Sequence, residues 1–576
     1  MLKLLKYLKP FAISLIVVIV LFFVQSLAEL YLPTLMSDII NNGVVKNDTN
    51  YIMNIGKIMI LVAAGDAVCV IVANLMGSKI AVGLGRNLRD ILFKKAEKFS
   101  LHEFDKVGTA SMITRTTNDI TQVQQVLVMI MRMMISAPLM GIGGIIMAVH
   151  KDAKLSILFA IVIPFLLAVI VVFLLKGLPY FRIMQQKLDK LNLVTREGLT
   201  GIRVIRAFNR INSEKKRFNE ANIDIRDTGL TVNRIMAGLM PIMMFTLSAT
   251  QIAVVWFGGL RIDSGHMQVG DMMAFIQYAM QIMFSFLMMA IMFVMIPRAE
   301  ASAVRINEVL EMEPEIVDEK ETKDAEVNKR GYVEFKDVTF SYPGAEQPAI
   351  SNISFSAEPG EVTAIIGGTG SGKSTLLNLI PRFYDVTNGS VMVDGIDVRE
   401  MSQERLRAKI GFVPQKAVLF TGSINDNIKY GKSDASTEEI EKAAEVAQAS
   451  DFISNMKEGF DSVIAQGGNN VSGGQKQRLS IARALVRRPE IYVFDDSFSA
   501  LDFKTDAKLR AALKGETKES TVIIVAQRVS TVMDADRIIV LDEGKIEGIG
   551  NHKELLNTCD VYHEIVYSQL SEEELA

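Results

Sequence analysis

Cysteine is nearly missing from the 576-residue chain: Cys69 and Cys559 are the only two. One lies in an apolar stretch and the other near the C-terminus, so no disulfide framework holds the fold together. An excess of basic residues is also lacking. A net charge of −3 offers no electrostatic footprint for a nucleic acid. Lys3, Lys6 and Lys9 precede a long apolar run, but no small-residue cleavage motif follows; this reads as a retained first membrane span, not a secretory leader. No internal repeat is visible, so the chain is one apolar half followed by one mixed half. What it has in abundance is apolar length: mean hydropathy is +0.26, high for a soluble enzyme.

Apolar residues fill the first 300 positions in six stretches, roughly 11–32, 55–80, 126–149, 155–178, 239–260 and 272–296. Each reaches the ~20 residues needed to cross a hydrocarbon core. Positive charge is concentrated in two of the intervening loops. The loop over 79–125 carries Arg86, Arg89, Lys94, Lys95, Lys98 and Arg115, and that over 176–234 carries Arg203, Arg206, Lys215, Lys216 and Arg217. The other three loops are short or poor in positive charge. Basic residues mark the cytoplasmic side, so both termini and both long loops are expected inside a cell membrane. Periodic apolar positions such as Leu84, Leu88, Ile91 and Leu92 predict that the membrane helices continue into those loops. Residues 1–300 are therefore expected to be a membrane domain, 301–331 a charged linker, 332–570 a globular α/β domain and 571–576 a tail.

Within the α/β domain, the apolar run 362–366 leads into Gly367, Gly368, Thr369, Gly370, Ser371, Gly372, Lys373, Ser374 and Thr375. Strand, glycine-rich loop and helix in that order make a phosphate cradle. Backbone N–H groups wrap the phosphates, Lys373 neutralises outer oxygens and Ser374 offers a hydroxyl to Mg²⁺. A second apolar strand, 491–494, ends in Asp495, suited to organising the Mg²⁺ of bound ATP. Between them Ser472, Gly473, Gly474 and Gln475 open a helix. A plain capped helix start explains them; they also form a second anion-binding surface, too far along the chain to belong to the first loop.

These motifs together resemble the ATP-binding cassette (ABC) family, and the six spans with long loops resemble its exporter half-transporters, in particular the degenerate-site subunit of bacterial heterodimeric multidrug exporters. The resemblance covers nearly the whole chain. It implies a six-helix membrane domain followed by a P-loop ATPase domain with a helical subdomain. Tyr342, in Phe340-Ser341-Tyr342, matches the aromatic platform for adenine; Gln415, in Val413-Pro414-Gln415, matches the glutamine that touches Mg²⁺. Ser499, Ala500, Leu501 and Asp502 match the loop that communicates across a cassette dimer, while Ser472 to Gln475 match the signature segment that contacts ATP held by a partner. Residues 111–115 and 201–208 resemble its cytoplasmic loop segments.

Two positions depart from the family pattern. Where the family has a glutamate that polarises water, the chain has Asp496; where it has a histidine on the γ-phosphate, the chain has Gln527. The reference pKa values of Asp and Glu, about 3.9 and 4.3, are nearly equal, so the change is one of reach. A misplacement of about 1 Å can cost ~10²-fold in rate. Gln527 still donates a hydrogen bond but never carries positive charge. The expected reading is a site that holds ATP better than it cleaves it. With an intact signature, that implies a heterodimer with a second half-transporter chain that supplies the competent site. Ala465-Gln466 departs from the family's usual Gly-Glu as well.

The expected cargo is a hydrophobic or amphipathic small molecule: drugs before lipids, and lipids before peptides, since no peptidase-like extension precedes the first span. Asp66 and Arg132 lie within spans, and Met240 and Met244 belong to a methionine-rich pair of spans. Core or lipid-facing packing accounts for most such methionines, yet flexible thioethers suit a permissive cavity, and charge in a span calls for a cavity or partner. Two alternatives stay open: a homodimeric lipid flippase, and an ATP-gated regulatory membrane protein. Six spans exclude a soluble cassette ATPase, and fused halves disfavour an importer.

Overall fold

The computed structural model describes residues 2–318 and 330–570; the middle of the expected linker and the 571–576 tail lie outside the described residues. The chain forms two compact units, Met1–Glu97 with Thr109–Met312, and Lys98–Gly108 with Glu313–Ala576.

The first unit is helical. Its long elements are α1 (Ala12–Asp38), α2 (Thr49–Ala96), α5 (Ile120–Lys151), α6 (Ile157–Thr200), α8 (Ile211–Asp263) and α9 (Val269–Glu311), with the short α4 (Thr109–Thr114) and α7 (Ile202–Ala207) between them. The short α3 (Leu101–Val107) belongs to the second unit. Among the described residues, six helical segments are long and apolar enough to span a membrane, one for each expected stretch. At about 1.5 Å per residue, the 48 residues of α2 make a rod of about 72 Å, more than twice a ~30 Å hydrocarbon core. This is the continuation beyond the membrane that the periodicity anticipates. Likewise α9 runs unbroken to Glu311, so the first third of the expected linker is helix.

Small residues let these helices approach. A Cβ on Gly144 of α5 would stand 2.8 Å from Ile282 Cγ1 of α9, and one on Gly141 would stand 2.8 Å from Ser285 Oγ, the close contact that bundles in lipid use in place of a hydrophobic driving force. Tyr278 is fully buried nearby, its hydroxyl 2.7 Å from Thr34 Oγ1 of α1.

In the second unit β1 (Val333–Phe340), β2 (Ile350–Ala357), β4 (Asn388–Val393) and β5 (Ile396–Asp397) form an antiparallel sheet in the order β2-β1-β4-β5. A six-stranded sheet of β3 (Val362–Gly367), β6 (Ile410–Val413), β9 (Ile491–Asp495), β10 (Thr521–Val525), β11 (Arg537–Asp542) and β12 (Lys545–Gly550) runs β12-β11-β3-β10-β9-β6. It is parallel except at β12, and β7 (Gly422–Ser423) pairs with β8 (Val463–Ile464) apart from both. The strand β3 is largely apolar, Thr363 apart, because both its faces are covered. Ala364 and Ile366 enter one core, and Ile365 enters the other, between the two sheets.

Candidate nucleotide site

Register brings the candidate residues together. Val525 of β10 pairs with Ile365 of β3 on one side and with Asp495 of β9 on the other, and Phe494 pairs with Val413 of β6. Chain ends that leave these strands therefore emerge side by side at their C-terminal edge, where parallel sheets place their ligands. Tyr342, Thr369, Gly370, Gly372, Lys373, Ser374, Thr375, Gln415, Asp495, Asp496 and Gln527 line one cavity of about 300 Å³ there, together with Ala349 and Val525.

The glycine loop is built for close approach. Gly372 has φ +95°, and a Cβ on it would meet Ala349 O at 2.9 Å, so no side chain fits. Beyond the turn the helix Lys373–Leu379 begins. Lys373 folds back over the loop and donates to Gly367 O at 2.9 Å and Gly368 O at 2.6 Å, with Ser371 Oγ at 3.4 Å. Its burial pulls the ammonium pKa below the usual lysine range, against the pull of Asp496 and Asp495.

Ser374 Oγ donates to Asp495 Oδ1 at 2.9 Å. Hydroxyl and carboxylate thus sit as a bonded pair beside the loop. With Gln415 they supply the oxygen ligands that Mg²⁺ takes alongside phosphate oxygens, so the residues present fit the ion. Among the described residues no cluster of three or more His, Cys, Asp or Glu forms a metal cage of its own.

Asp496 begins the turn after β9 with φ +46°, a left-handed conformation that Asp tolerates better than most residues. Its Oδ2 accepts from Gln527 Nε2 at 3.0 Å and from Gln415 Nε2 at 3.3 Å. Burial raises the pKa of both Asp495 and Asp496 above the ordinary carboxylate range, Ser374 opposing the rise at the first and Gln415 at the second.

The aromatic Tyr342 stands edge-on to Phe340 and Tyr384, with centroids at 5.0 and 5.5 Å, and its hydroxyl is 2.9 Å from Thr375 Oγ1. The Tyr342 side of this aromatic cluster stays open, 37% exposed.

The signature residues do not line this cavity. Ser472 caps the helix Gly473–Leu485: its Oγ accepts from Gln475 N at 3.3 Å, and Gln475 Oε1 accepts from Ser472 N at 2.8 Å. Within this chain the motif is thus a capping box. Gly474 packs beneath Ala500 O, 3.1 Å from where a Cβ would stand. Ser499 donates to Asp496 O at 2.9 Å, and Asp502 caps the helix Phe503–Glu516. Arg528 donates to Ser499 O and Leu501 O and lies over the Phe503 ring.

Sequence reasoning overlooked Tyr384, Arg528 and Gln569. The last donates to Gln527 O at 2.8 Å and accepts from Val529 N at 2.9 Å. It lies 42 residues away in sequence, so no local pattern marks it. Of the membrane candidates, Arg132 lines a cavity in the helical unit, and Asp66 lies within electrostatic reach of Glu29. Met240 and Met244 are exposed in this chain, while Met243 packs against Leu166 and Met283.

Known proteins share this arrangement. Residues 15–286 match the ABC transporter transmembrane region and residues 350–499 match the ABC transporter domain. The chain is 43% identical, over 98% of its length and 97% of the relative's, to an uncharacterized ABC transporter ATP-binding protein of Mycobacterium tuberculosis. It is 38% identical, over 99% of both chains, to an uncharacterized ABC transporter ATP-binding protein of Bacillus subtilis. A fatty acid ABC transporter ATP-binding/permease protein of Mycobacterium bovis is 33% identical over 85% of this chain and 77% of its own length. In fold, a solved bacterial Atm1-family ABC exporter with ATP bound covers 98% of this chain, and 99% of its own, at a TM-score of 0.80 and 23% identity. The chain belongs to the ABC transporter family. It is a multi-pass membrane protein with the half-transporter layout of the exporters, a membrane domain followed by an ATPase domain that drives transport.

Proposed function

We propose that the chain is one half of a heterodimeric exporter whose own site binds ATP and Mg²⁺ but is impaired in hydrolysis. Its signature segment, Ser472 to Gln475, completes the competent site of a partner chain. The observation that carries this reading is the sharing of Asp496 Oδ2 between Gln527 and Gln415. A water-activating carboxylate has to reach the water beside the γ-phosphate. Asp496 is a methylene short of glutamate, and one of its oxygens is held by two uncharged amides. Its raised pKa would favour a base, so basicity is not what it lacks; reach and freedom are. Gln527, tied to Asp496, supplies no cation to the transition state.

In the proposed cycle, ATP at this chain's site keeps the cassettes together while hydrolysis at the partner's site resets them. Both termini and the ATPase unit face the cytoplasm, and amphipathic drugs or lipids leave the cytoplasm or inner leaflet. The fatty acid transporter among the relatives supports a lipid-like cargo. Affinity purification from the native membrane tests the pairing. A second half-transporter carrying the glutamate and histidine is the expected companion, and recovery of this chain alone as a dimer overturns the heterodimer.

A further inference from the structure

Three spans each place a polar pair four residues apart in otherwise apolar sequence: Gln25 and Glu29 on α1, Arg132 and Ser136 on α5, Gln277 and Gln281 on α9. Residues at that spacing share a helix face, and the three faces meet. All six side chains line one cavity of about 240 Å³, with Met280, Phe284 and Met288 as its apolar wall.

Its hydrogen bonding is incomplete, most plainly at its acceptors. Gln25 Nε2 donates to Glu29 Oε1 at 2.8 Å and Gln281 Nε2 donates to Glu29 O at 2.9 Å. Each amide thereby uses one of its two N–H donors inside the cluster. Gln25 Oε1, Gln281 Oε1 and Ser136 Oγ are buried without a partner. Gln25 is only 4% exposed and Ser136 8%, and an unpaired polar atom at such depth is costly. Arg132 is exposed on the same lining and makes no ion pair among the described residues. The cavity thus offers acceptors and negative charge from α1 and α9, and guanidinium donors from α5.

We propose that this cavity is a head-group site for a zwitterionic amphiphile whose cationic end carries N–H donors, with phosphoethanolamine as the representative chemistry. The ammonium group satisfies Gln25 Oε1, Gln281 Oε1 and the Glu29 carboxylate; the phosphate takes Arg132. A quaternary ammonium has no N–H to give, and a fatty acid carboxylate has none either. The volume suits a head group and not a whole drug. The tail has a course: further along α9, Leu287, Ile291 and Met295 line a separate apolar cavity with Met236 and Phe173. The two centres lie on the order of 14 Å apart along the helix. The proposal rests on the exporter reading above and narrows its cargo.

Lysophosphatidylethanolamine and lysophosphatidylcholine with the same acyl chain have the same net charge and differ at the amine by N–H donors. Native mass spectrometry of the full-length transporter, purified with whatever chain accompanies it and equilibrated with equimolar amounts of both, reads their occupancy directly. The ethanolamine lipid should bind about tenfold or more in excess, the worth of one or more charge-assisted hydrogen bonds. Glu29→Gln should shrink that preference, whereas Arg132→Gln should weaken both lipids alike. Equal binding of the two lipids, or tighter binding of myristate than of either, overturns the proposal. Because binding is read without ATP, a preference seen without stimulation of ATPase would sink the exporter reading and leave the head-group site standing.

Discussion

Gln527 donates its side-chain amide to Asp496 Oδ2 across 3.0 Å. The two residues at which the hydrolytic site departs from the family pattern, 31 positions apart, are thus bonded to each other, and changing one alters the surroundings of the other. A Glu at 496 would extend toward the phosphate side, and a His at 527 could carry charge there. The double variant Asp496→Glu with Gln527→His should raise the ATPase of the purified chain by at least ~10-fold. Either single change should give less than its share, because neighbours in one network are not additive. Steady-state phosphate release measures both effects.

The signature and the glycine loop serve different sites in the proposed dimer, so their variants should separate. In the native complex Gly474→Asp should lower turnover on the order of 10²-fold while photolabelling by azido-ATP at this chain's own site persists. Lys373→Ala should remove the label and, because ATP at this site holds the cassettes together, slow turnover as well. Loss of the label from Gly474→Asp would argue for two equivalent sites.

The raised pKa of Asp496 sets a pH dependence. Its folded value lies above its unfolded one because burial disfavours the carboxylate. Ionisation therefore burdens the folded state. The burden is absent below the unfolded value, near pH 4, grows as pH rises and is complete above the folded pKa. Without nucleotide, Asp496→Asn should raise the melting temperature relative to the parent at neutral pH, and the gap should close toward about pH 4. A gap that widens on acidification would contradict the assignment. Asp495, raised by the same cause, contributes in the same sense.

In the membrane unit, Gly144→Leu would push a side chain into Ile282, which already lies 2.8 Å from the site of a Cβ. Overpacking of this kind costs about 1–3 kcal/mol. The purified variant should melt at a lower temperature in detergent, while Gly259→Leu, where nothing lies within 4 Å of a Cβ, should not.

Much of this was legible in the sequence because it is local. Six apolar lengths, the loop from Gly367 to Thr375 and the strand that ends at Asp495 each declare themselves within a window of some twenty residues. The Asp496–Gln527 bond does not, since it depends on the register of β9 against β10, which no single strand encodes. Capping likewise hides function: Ser472 and Gln475 satisfy a helix start whatever else they do. In the spans, Asp66 and Arg132 stand out as charges, but Glu29 gains its meaning from pairing with Gln25 four residues before it and with Gln281 on another helix. That spacing was readable in each helix; the meeting of the three faces was not.

The most direct measurement is ATP turnover by the chain purified alone and reconstituted in lipid, set against its own Lys373→Ala form. An asymmetric half should hydrolyse ATP no faster than that inactive control, while retaining bound ATP that the control lacks. Vigorous hydrolysis by the lone chain, abolished by Asp496→Asn, would show that the aspartate positions the water unaided and would contradict the account.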